Sequence, residues 1–211
     1  MHNSMKLGNR GQEEAPFELL IAVIVMGFVI IMGLNAISIL GKEKCKGDID
    51  SQMEKIKSSL EIVARGEGSQ NISYAMPSCF TEKDSKLQIT ERDDPQTCSF
   101  YCGGNSYNCM LLSFSSLEYN SLKCLKISNA IQFGQRVQDD PPKCNVLPGR
   151  DDVGTGEPFY DLIDLRQGAI PEGYYNLSKE IDLYTSSPMI CAYLRCDRTV
   201  TTSDGTVLCG G

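Results

Sequence analysis

The sequence predicts an α+β protein: a long N-terminal helix, first hydrophobic and then amphipathic, followed by a disulfide-rich, β-rich globular head. Three features predict this fold, namely an apolar stretch at 17–40, an apolar stripe at helical spacing beyond it, and ten cysteines. The 211 residues leave room for one membrane segment and one compact domain. We divide the chain into a leader (1–11), a transmembrane or filament-core helix (12–40), a juxtamembrane amphipathic helix (41–68) and the head (69–211).

Residues 17–40 are long enough to cross a membrane. Fifteen of these 24 residues are Leu, Ile, Val or Phe, each worth roughly −0.3 to −0.6 kcal/mol on the membrane-insertion scale, whereas Glu18 costs at most about 3 kcal/mol. A helix of this length reaches roughly 36 Å, and the hydrocarbon core is about 30 Å thick. Two simple alternatives are a plain transmembrane anchor and a cleaved secretory signal, for which Ala36-Ile37-Ser38 is the one cleavage triplet.

Neither simple alternative explains the order of residues at the start of the chain. A short basic leader with Lys6 and Arg10 comes first and is followed by Gly11-Gln12. Acidic residues come next, and the hydrophobic run begins at Leu19. This order resembles the class III signal sequences of archaeal type IV pilin-like proteins. In that family a prepilin peptidase cuts after a Gly on the cytoplasmic side, and the mature protein keeps the helix.

The resemblance implies roles for three residues. Cleavage would fall between Gly11 and Gln12, and Glu18 would be the helix acid that pairs with a neighbouring subunit's terminal amine during assembly. In the usual archaeal pattern this acid lies four residues after the Gln, where this chain has Pro16. A carboxylate at the headgroup boundary, without a partner, is the alternative for Glu18. The implied partners are the membrane, a prepilin-peptidase-type processing enzyme and, through the N-terminal helix, further copies of the chain.

The cysteines, rather than the basic residues, indicate the orientation in the membrane. Lys6 and Arg10 precede the apolar stretch, but Lys42, Lys44 and Lys46 follow it, so the positive-inside rule does not decide. We place the N-terminus in the cytoplasm and the head at the cell surface. The opposite orientation would leave the cysteines in the reducing cytosol.

A second helical pattern follows the apolar stretch. Its apolar residues recur at steps of four and three, as expected on one face of a helix. They are Ile49, Met53, Ile56, Leu60 and Val63. This stripe packs either on the protein's own head, which we favour, or on a bundle of identical helices; two heptads are too few to identify a coiled coil.

Glycines predict where this helix bends and ends. Gly41 and Gly47 each cost about 1 kcal/mol in a helix interior, so we expect a hinge near 41–50. The residues Gly66-Glu67-Gly68 are expected to end the helix.

Short strand-like segments between turn signals predict a β-rich head. They are residues 86–90, 107–113, 122–128, 180–185 and 189–195, with a hairpin over 199–208 around Asp204-Gly205. A stretch rich in Pro, Gly and Asp at 138–158 predicts a long surface loop held by Cys144.

The cysteines predict a disulfide framework in an oxidising compartment, because they lack the paired CxxC spacing of a zinc site. They are Cys45, Cys79, Cys98, Cys102, Cys109, Cys124, Cys144, Cys191, Cys196 and Cys209. Cys191 and Cys196 are five apart on one predicted strand, so their side chains lie on opposite faces and need separate partners. For Cys45 we favour a bond to the head, with Cys209 as one candidate partner, over a bond to another chain or a free thiol.

The sequence offers little material for catalysis. The only His is His2, inside the leader, so the mature chain would lack a His-based triad, an imidazole base and a His zinc site. The acid pairs Asp139-Asp140 and Asp151-Asp152 lie in the predicted loop, where solvation is a commoner role than calcium or acid–base chemistry. We expect no enzymatic activity, no cofactor and no metal site. The net charge of −7, without a clustered basic face, argues against a nucleic-acid partner.

Two triplets fit the N-glycosylation acceptor pattern Asn-x-Ser/Thr. They begin at Asn71 and Asn176. Two such triplets in a chain of this size are close to what chance supplies.

Together these patterns favour a structural subunit of a type IV pilus-like surface filament. The subunit would be anchored in the membrane before assembly, and its head would be exposed for surface contact or adhesion. The alternative is a solitary single-pass membrane-anchored binding module or adhesin that forms no filament. A small secreted enzyme is the least favoured function.

Overall fold

The structure is a computed structural model that describes most of the chain. The described residues are 15–80, 85–104, 107–128, 130–134, 144, 159–166, 168–182, 185–196, 200–201 and 207–208. Several sequence predictions lie outside them: the cleavage pair Gly11-Gln12, the loop at 138–158 apart from Cys144, the turn at Asp204-Gly205, and Cys209. The chain divides into two compact units, residues 1–45 and 46–211.

The first element is a single helix, α1, which spans Ala15–Arg65 and contains 51 residues. The helix does not break near 41–50, since it continues through Gly41 and Gly47, and the hinge predicted there stays a prediction. A Cβ at either glycine would meet nothing within 4 Å, so no close packing requires a glycine there. Their cost of about 1 kcal/mol each is small beside the burial of Ile49 and Met53, both 0% exposed.

The end of α1 agrees with the sequence prediction. Gly66 adopts φ +84°, a left-handed conformation that glycine reaches without steric cost. Its N–H donates to the Val63 carbonyl at 2.9 Å, and the Glu67 N–H donates to the Ile62 carbonyl at 3.3 Å. This pair of hydrogen bonds is the Schellman motif, which satisfies carbonyls left open at a helix end.

In the described part of the chain the elements after α1 are short strands, one helix and one 3-10 turn, so the predicted α+β fold is confirmed. In chain order they are β1 (Gln70–Tyr74), the 3-10 turn (Ser78–Phe80), β2 (Lys86–Arg92), α2 (Pro95–Cys102), β3 (Cys109–Ser115), β4 (Asn120–Leu125), β5 (Gln132–Phe133), β6 (Phe159–Ile163), β7 (Gly173–Ile181), β8 (Pro188–Cys196), β9 (Val200–Thr201) and β10 (Val207–Leu208).

The described strands form three sheets. The largest has five strands in the order β1-β7-β8-β5, and β6 also pairs with β8. Within it, β5 runs parallel to the start of β8, whereas β6 pairs antiparallel with its end. The strands β2, β3 and β4 form an antiparallel meander, and β9 and β10 form a two-stranded sheet.

The strand predictions were most accurate where apolar residues dominate. Strands β2, β3, β4 and β8 and the β9–β10 pair lie within or across predicted segments. The segment predicted at 180–185 is wrong in its bounds, because β7 begins at Gly173 and ends at Ile181. Strands β1, β5 and β6 and helix α2 were not predicted. The helix had a signal in Asp94-Pro95: Asp94 caps α2, accepting hydrogen bonds from the N–H groups of Gln96 and Thr97.

The apolar stripe of α1 forms the centre of the head's core. Its residues are all buried, at 0 to 3% exposure: Ile49, Met53, Ile56, Leu60 and Val63. Ile56 and Leu60 meet apolar side chains of the five-stranded sheet around a small cavity lined also by Ile72, Tyr74, Leu165, Ile170, Tyr175 and Leu177. The stripe therefore packs on the chain's own head, and that prediction is confirmed.

The two apolar parts of α1 should respond differently to truncation. Leu60→Ala removes a fully buried side chain, and we expect it to lower the free energy of unfolding by roughly 2–5 kcal/mol. Leu34→Ala, at a site 62% exposed, should change it by less than about 0.5 kcal/mol. Urea unfolding of the full chain in detergent, followed by tyrosine near-UV circular dichroism, measures both. Equal effects of the two substitutions would contradict this division of the helix.

Candidate functional site

The N-terminal part of α1 presents a continuous apolar surface. Every large apolar side chain from Phe17 to Leu40 is exposed, with exposed fractions between 49% and 70%. The most apolar 18-residue window of the helix has a mean hydropathy of 2.7, and none of it is buried. By length and composition this helix can cross a membrane. A core helix of the same composition would instead be covered by protein.

Glu18 is the acidic residue in the first turn of α1, and its side chain is exposed. Helix N-termini carry partial positive charge from unpaired N–H groups, so a carboxylate is favourable there. The structure thus places Glu18 at the start of the apolar surface, as the sequence predicted.

A polar cluster fixes the C-terminal part of α1 to the β2–β4 sheet. We call it the Asp50 cluster, and it consists of Asp50, Tyr119, Ser121 and Lys123. The Tyr119 hydroxyl donates to Asp50 Oδ2 at 2.6 Å, and the Ser121 hydroxyl donates to Oδ1 at 2.7 Å. Lys123 Nζ lies 3.8 Å from Oδ1, and Lys46 Nζ lies 5.8 Å from the centre of the Tyr119 ring.

The Asp50 cluster favours the charged form of its carboxylate. Partial burial raises the pKa of Asp50, but the hydrogen bonds from Tyr119 and Ser121 and the charge of Lys123 outweigh it, so the pKa lies below its ordinary value. Sequence reasoning missed this cluster. Its one signal was the position of Asp50 immediately beside the buried stripe residue Ile49.

Further hydrogen bonds join the same part of α1 to both large sheets. The Gln52 side chain accepts from the N–H of Ala75, just after β1, at 3.0 Å. Lys179 on β7 donates from Nζ to the carbonyl of Ala64 at 2.7 Å. On the β2–β4 sheet, the backbone N–H of Lys126, just after β4, donates to a carboxylate oxygen of Glu61 at 2.9 Å. These hydrogen bonds therefore fix the position of the C-terminal part of α1 on both sheets.

The predicted disulfide framework is present. The bridges whose partners both lie in the described residues of the head are Cys98–Cys109, Cys102–Cys124 and Cys144–Cys191. Cys45, Cys79 and Cys196 are also disulfide-bonded, and no described cysteine is free. The free-thiol alternative for Cys45 is thereby excluded. Cys191 and Cys196 have separate partners, as the strand geometry predicted.

Two of these bridges fix α2. Cys98 and Cys102 are four residues apart and therefore lie on one face of the helix. Their partners are Cys109 on β3 and Cys124 on β4. Phe100, between them, is 80% exposed, because it lies on the opposite face of α2.

One group of side chains has the composition of a metal site. Ligand atoms of Cys144, Glu180 and Cys191 lie within 4.8 Å of one another. The two sulfurs are bonded to each other, however, and so are not thiolates. The Glu180 carboxylate already accepts hydrogen bonds from the hydroxyls of Tyr193 and Ser178, both at 2.8 Å. The bridged form of this group therefore does not offer the ligands of a metal site.

The structure brings the two sequon asparagines together. Asn71 on β1 is directly opposite Asn176 on β7 in the antiparallel ladder. The Asn176 side-chain N–H donates to Asn71 Oδ1 at 2.9 Å. Nothing in the spacing of the two triplets along the chain predicted this pairing.

No protein-family model matches the chain, and neither a curated protein nor a solved structure matches it significantly.

The Asp50 cluster predicts a pH-dependent contribution to stability. The folded-state pKa of Asp50 is lowered, so its contribution is present above the unfolded-state value of about 3.9 and is lost as the pH falls through the lower folded-state value. Asp50→Asn should destabilise the head by about 1 kcal/mol at pH 7 and by progressively less on acidification below pH 4.

Urea unfolding of the full chain in detergent at pH 7 and pH 3 measures this difference. The matched control is Asp48→Asn, an exposed position two residues earlier in the same helix, which should leave stability nearly unchanged at both pH values. A loss of stability in Asp50→Asn that is the same at pH 7 and pH 3 would contradict the assigned role of the carboxylate.

Proposed function

We propose that this chain is a structural subunit of a type IV pilus-like surface filament. A leader of residues 1–11 is removed between Gly11 and Gln12. The hydrophobic part of α1 is held in the membrane before assembly and is buried among neighbouring helices afterwards. The head faces the cell exterior, where its disulfides form and persist.

One observation carries the proposal. The exposed apolar surface at 17–40 and the buried stripe at 49–63 belong to one uninterrupted helix. The second region is already covered by the chain's own sheets, so the first needs a cover from outside the chain. Lipid provides that cover in a membrane, and identical helices can provide it in an assembly.

The position of Glu18 supports a filament over a solitary anchor. A carboxylate within an apolar surface is costly to insert, and a solitary anchor gains from it only the interaction with its own helix N-terminus. An assembly gains a specific contact, because the new amine at Gln12 of a neighbouring subunit offers the opposite charge. The proposal assigns this pairing to Glu18 and gives the chain no catalytic role.

Processing of the leader is the first prediction. Intact-mass analysis of the protein purified from its native membrane should find a chain that begins at Gln12. Gly11→Val should block cleavage, because a branched side chain replaces the hydrogen that the peptidase accommodates, and Gly8→Val in the same leader should leave it intact. A chain that begins at Met1 would favour the simple anchor, and a chain that begins near Ile39 would exclude both functions.

Assembly is the second prediction. Cells that express the unmodified chain should carry surface fibres visible by electron microscopy, and Glu18→Gln should reduce their number at least tenfold while the protein still enters the membrane. The control is Glu14→Gln, which changes an acid in the same region and should leave the fibres unchanged. A loss of fibres in Glu14→Gln alone would move the role to that residue. An unchanged set of fibres in cells that lack the chain would contradict the role of a major subunit.

A further inference from the structure

The two N-glycosylation triplets, whose asparagines are 105 residues apart in the chain, lie side by side in the head. Asn71 and Asn176 face each other across β1 and β7 and are hydrogen-bonded at 2.9 Å. Directly opposite residues in an antiparallel pair have Cβ atoms about 4.5–5.5 Å apart. Two acceptor side chains therefore share one place on the surface.

On the face of the sheet that carries this pair, the area at β1 is exposed to solvent and the area at β8 is covered. β1 lies at the edge of the sheet, and Asn71 is exposed, whereas Asn176 is half-buried. The next position across the sheet is Tyr193, which pairs with Asn176 and is only 2% exposed. It is packed in a cluster that includes the Cys144–Cys191 bridge. A substituent on Asn71 extends into solvent, while one on Asn176 meets the covered part of the sheet.

The serines of the two triplets also differ in accessibility, and the more accessible one belongs to the Asn71 triplet. The Ser178 hydroxyl donates to Glu180 Oε1 at 2.8 Å. Ser73 is exposed, and within the described part of the chain its hydroxyl has no hydrogen-bond partner. The acceptor pattern requires the hydroxyl of its Ser or Thr. Of the two hydroxyls, that of Ser73 in the Asn71 triplet is the one accessible to an approaching enzyme.

We propose that Asn71 carries an N-linked glycan and that the Asn71–Asn176 pair accepts one glycan per chain. The separation of the two Cβ atoms is about the width of one sugar ring, so a sugar on Asn71 occupies the space that a sugar on Asn176 would need. Tyr174 lies on the same face, opposite Ser73, and is 62% exposed. Its ring offers a surface on which the apolar face of the first sugar can stack.

The transfer joins Asn71 Nδ2 to the anomeric carbon of an oligosaccharide carried on a polyisoprenyl phosphate. The bond from that carbon to the phosphate oxygen breaks, the lipid phosphate leaves, and the amide nitrogen loses one proton. An external glycosyltransferase performs the step, on the side of the membrane to which the head is exported. The inference needs an exported head but does not need a filament, so it stands or fails independently of assembly.

Glycopeptide mass spectrometry of the protein from its native host tests the proposal. After reduction, alkylation and trypsin digestion, Asn71 lies in the peptide 66–83 and Asn176 in the peptide 167–179. We expect sugar on the first peptide and an unmodified mass for the second. An unmodified 66–83 peptide, sugar on 167–179, or an intact mass that carries two glycans would overturn the proposal.

Two serine substitutions provide the matched controls, because they remove one acceptor pattern each and leave both asparagines in place. Ser73→Ala should abolish the sugar on 66–83 and lower the intact mass by the full glycan mass. Ser178→Ala should leave that mass shift unchanged. Both sites are at least partly open to solvent, and intact mass without reductant confirms that each variant keeps its disulfides. Sugar retained in Ser73→Ala, or lost in Ser178→Ala, would overturn the assignment to Asn71.

Discussion

The architecture depends on one feature of α1, namely that a single continuous helix carries two apolar surfaces, one buried against the head and one exposed. The stripe centred on Ile56 is covered by sheets of the same chain. The surface from Phe17 to Leu40 has seventeen large exposed apolar side chains, each worth about 1.5–3 kcal/mol when removed from water. A folded domain is stable by only about 5–15 kcal/mol. Water is therefore an unfavourable environment for this surface, whose length and composition suit the crossing of a membrane.

The polar contacts along the second half of α1 follow from the same feature. Hydrophobic burial is non-directional, so the stripe alone would allow the helix to slide or rotate on the sheets. The Asp50 cluster on one side and the Lys179–Ala64 hydrogen bond on the other remove that freedom, because hydrogen bonds require defined distances and angles. The bridges Cys98–Cys109 and Cys102–Cys124 act elsewhere, since they join α2 to β3 and β4.

The sequence predicted those parts of the fold in which one physical rule dominates. The stripe at 49–63 has strict helical spacing, and β8 contains a nearly unbroken apolar run, so periodicity was sufficient for both. Gly41 and Gly47 do not break the helix, because a glycine penalty of about 1 kcal/mol is small beside the packing of Ile49 and Met53. Strand β1, with the sequence QNISY, alternates polar and apolar residues only from Asn71 to Tyr74, too short a run to stand out.

The candidate sites that could be predicted are those formed by residues close together in the sequence. Glu18 and the apolar surface are properties of neighbouring residues and could be predicted. The Asp50 cluster joins residues about 70 positions apart, and the asparagine pair joins residues 105 apart. Contacts of this kind depend on the order and register of strands, which a single sequence does not state. The two asparagine triplets were visible in the sequence, but their significance comes from the pairing of β1 with β7.

The two faces of the five-stranded sheet differ in what covers them. One face is covered by α1, and the part of the other face near β8 is covered by the cluster around the Cys144–Cys191 bridge. Among the described residues, the open area of this face lies over β1 and β7, and β1 is the edge strand of the sheet. Exposed edges invite pairing with strands of other chains, and proteins commonly block them with bulky or charged groups. A hydrated glycan on Asn71 would project from this edge strand. It would leave the head free to pack through other surfaces while preventing strand addition at β1.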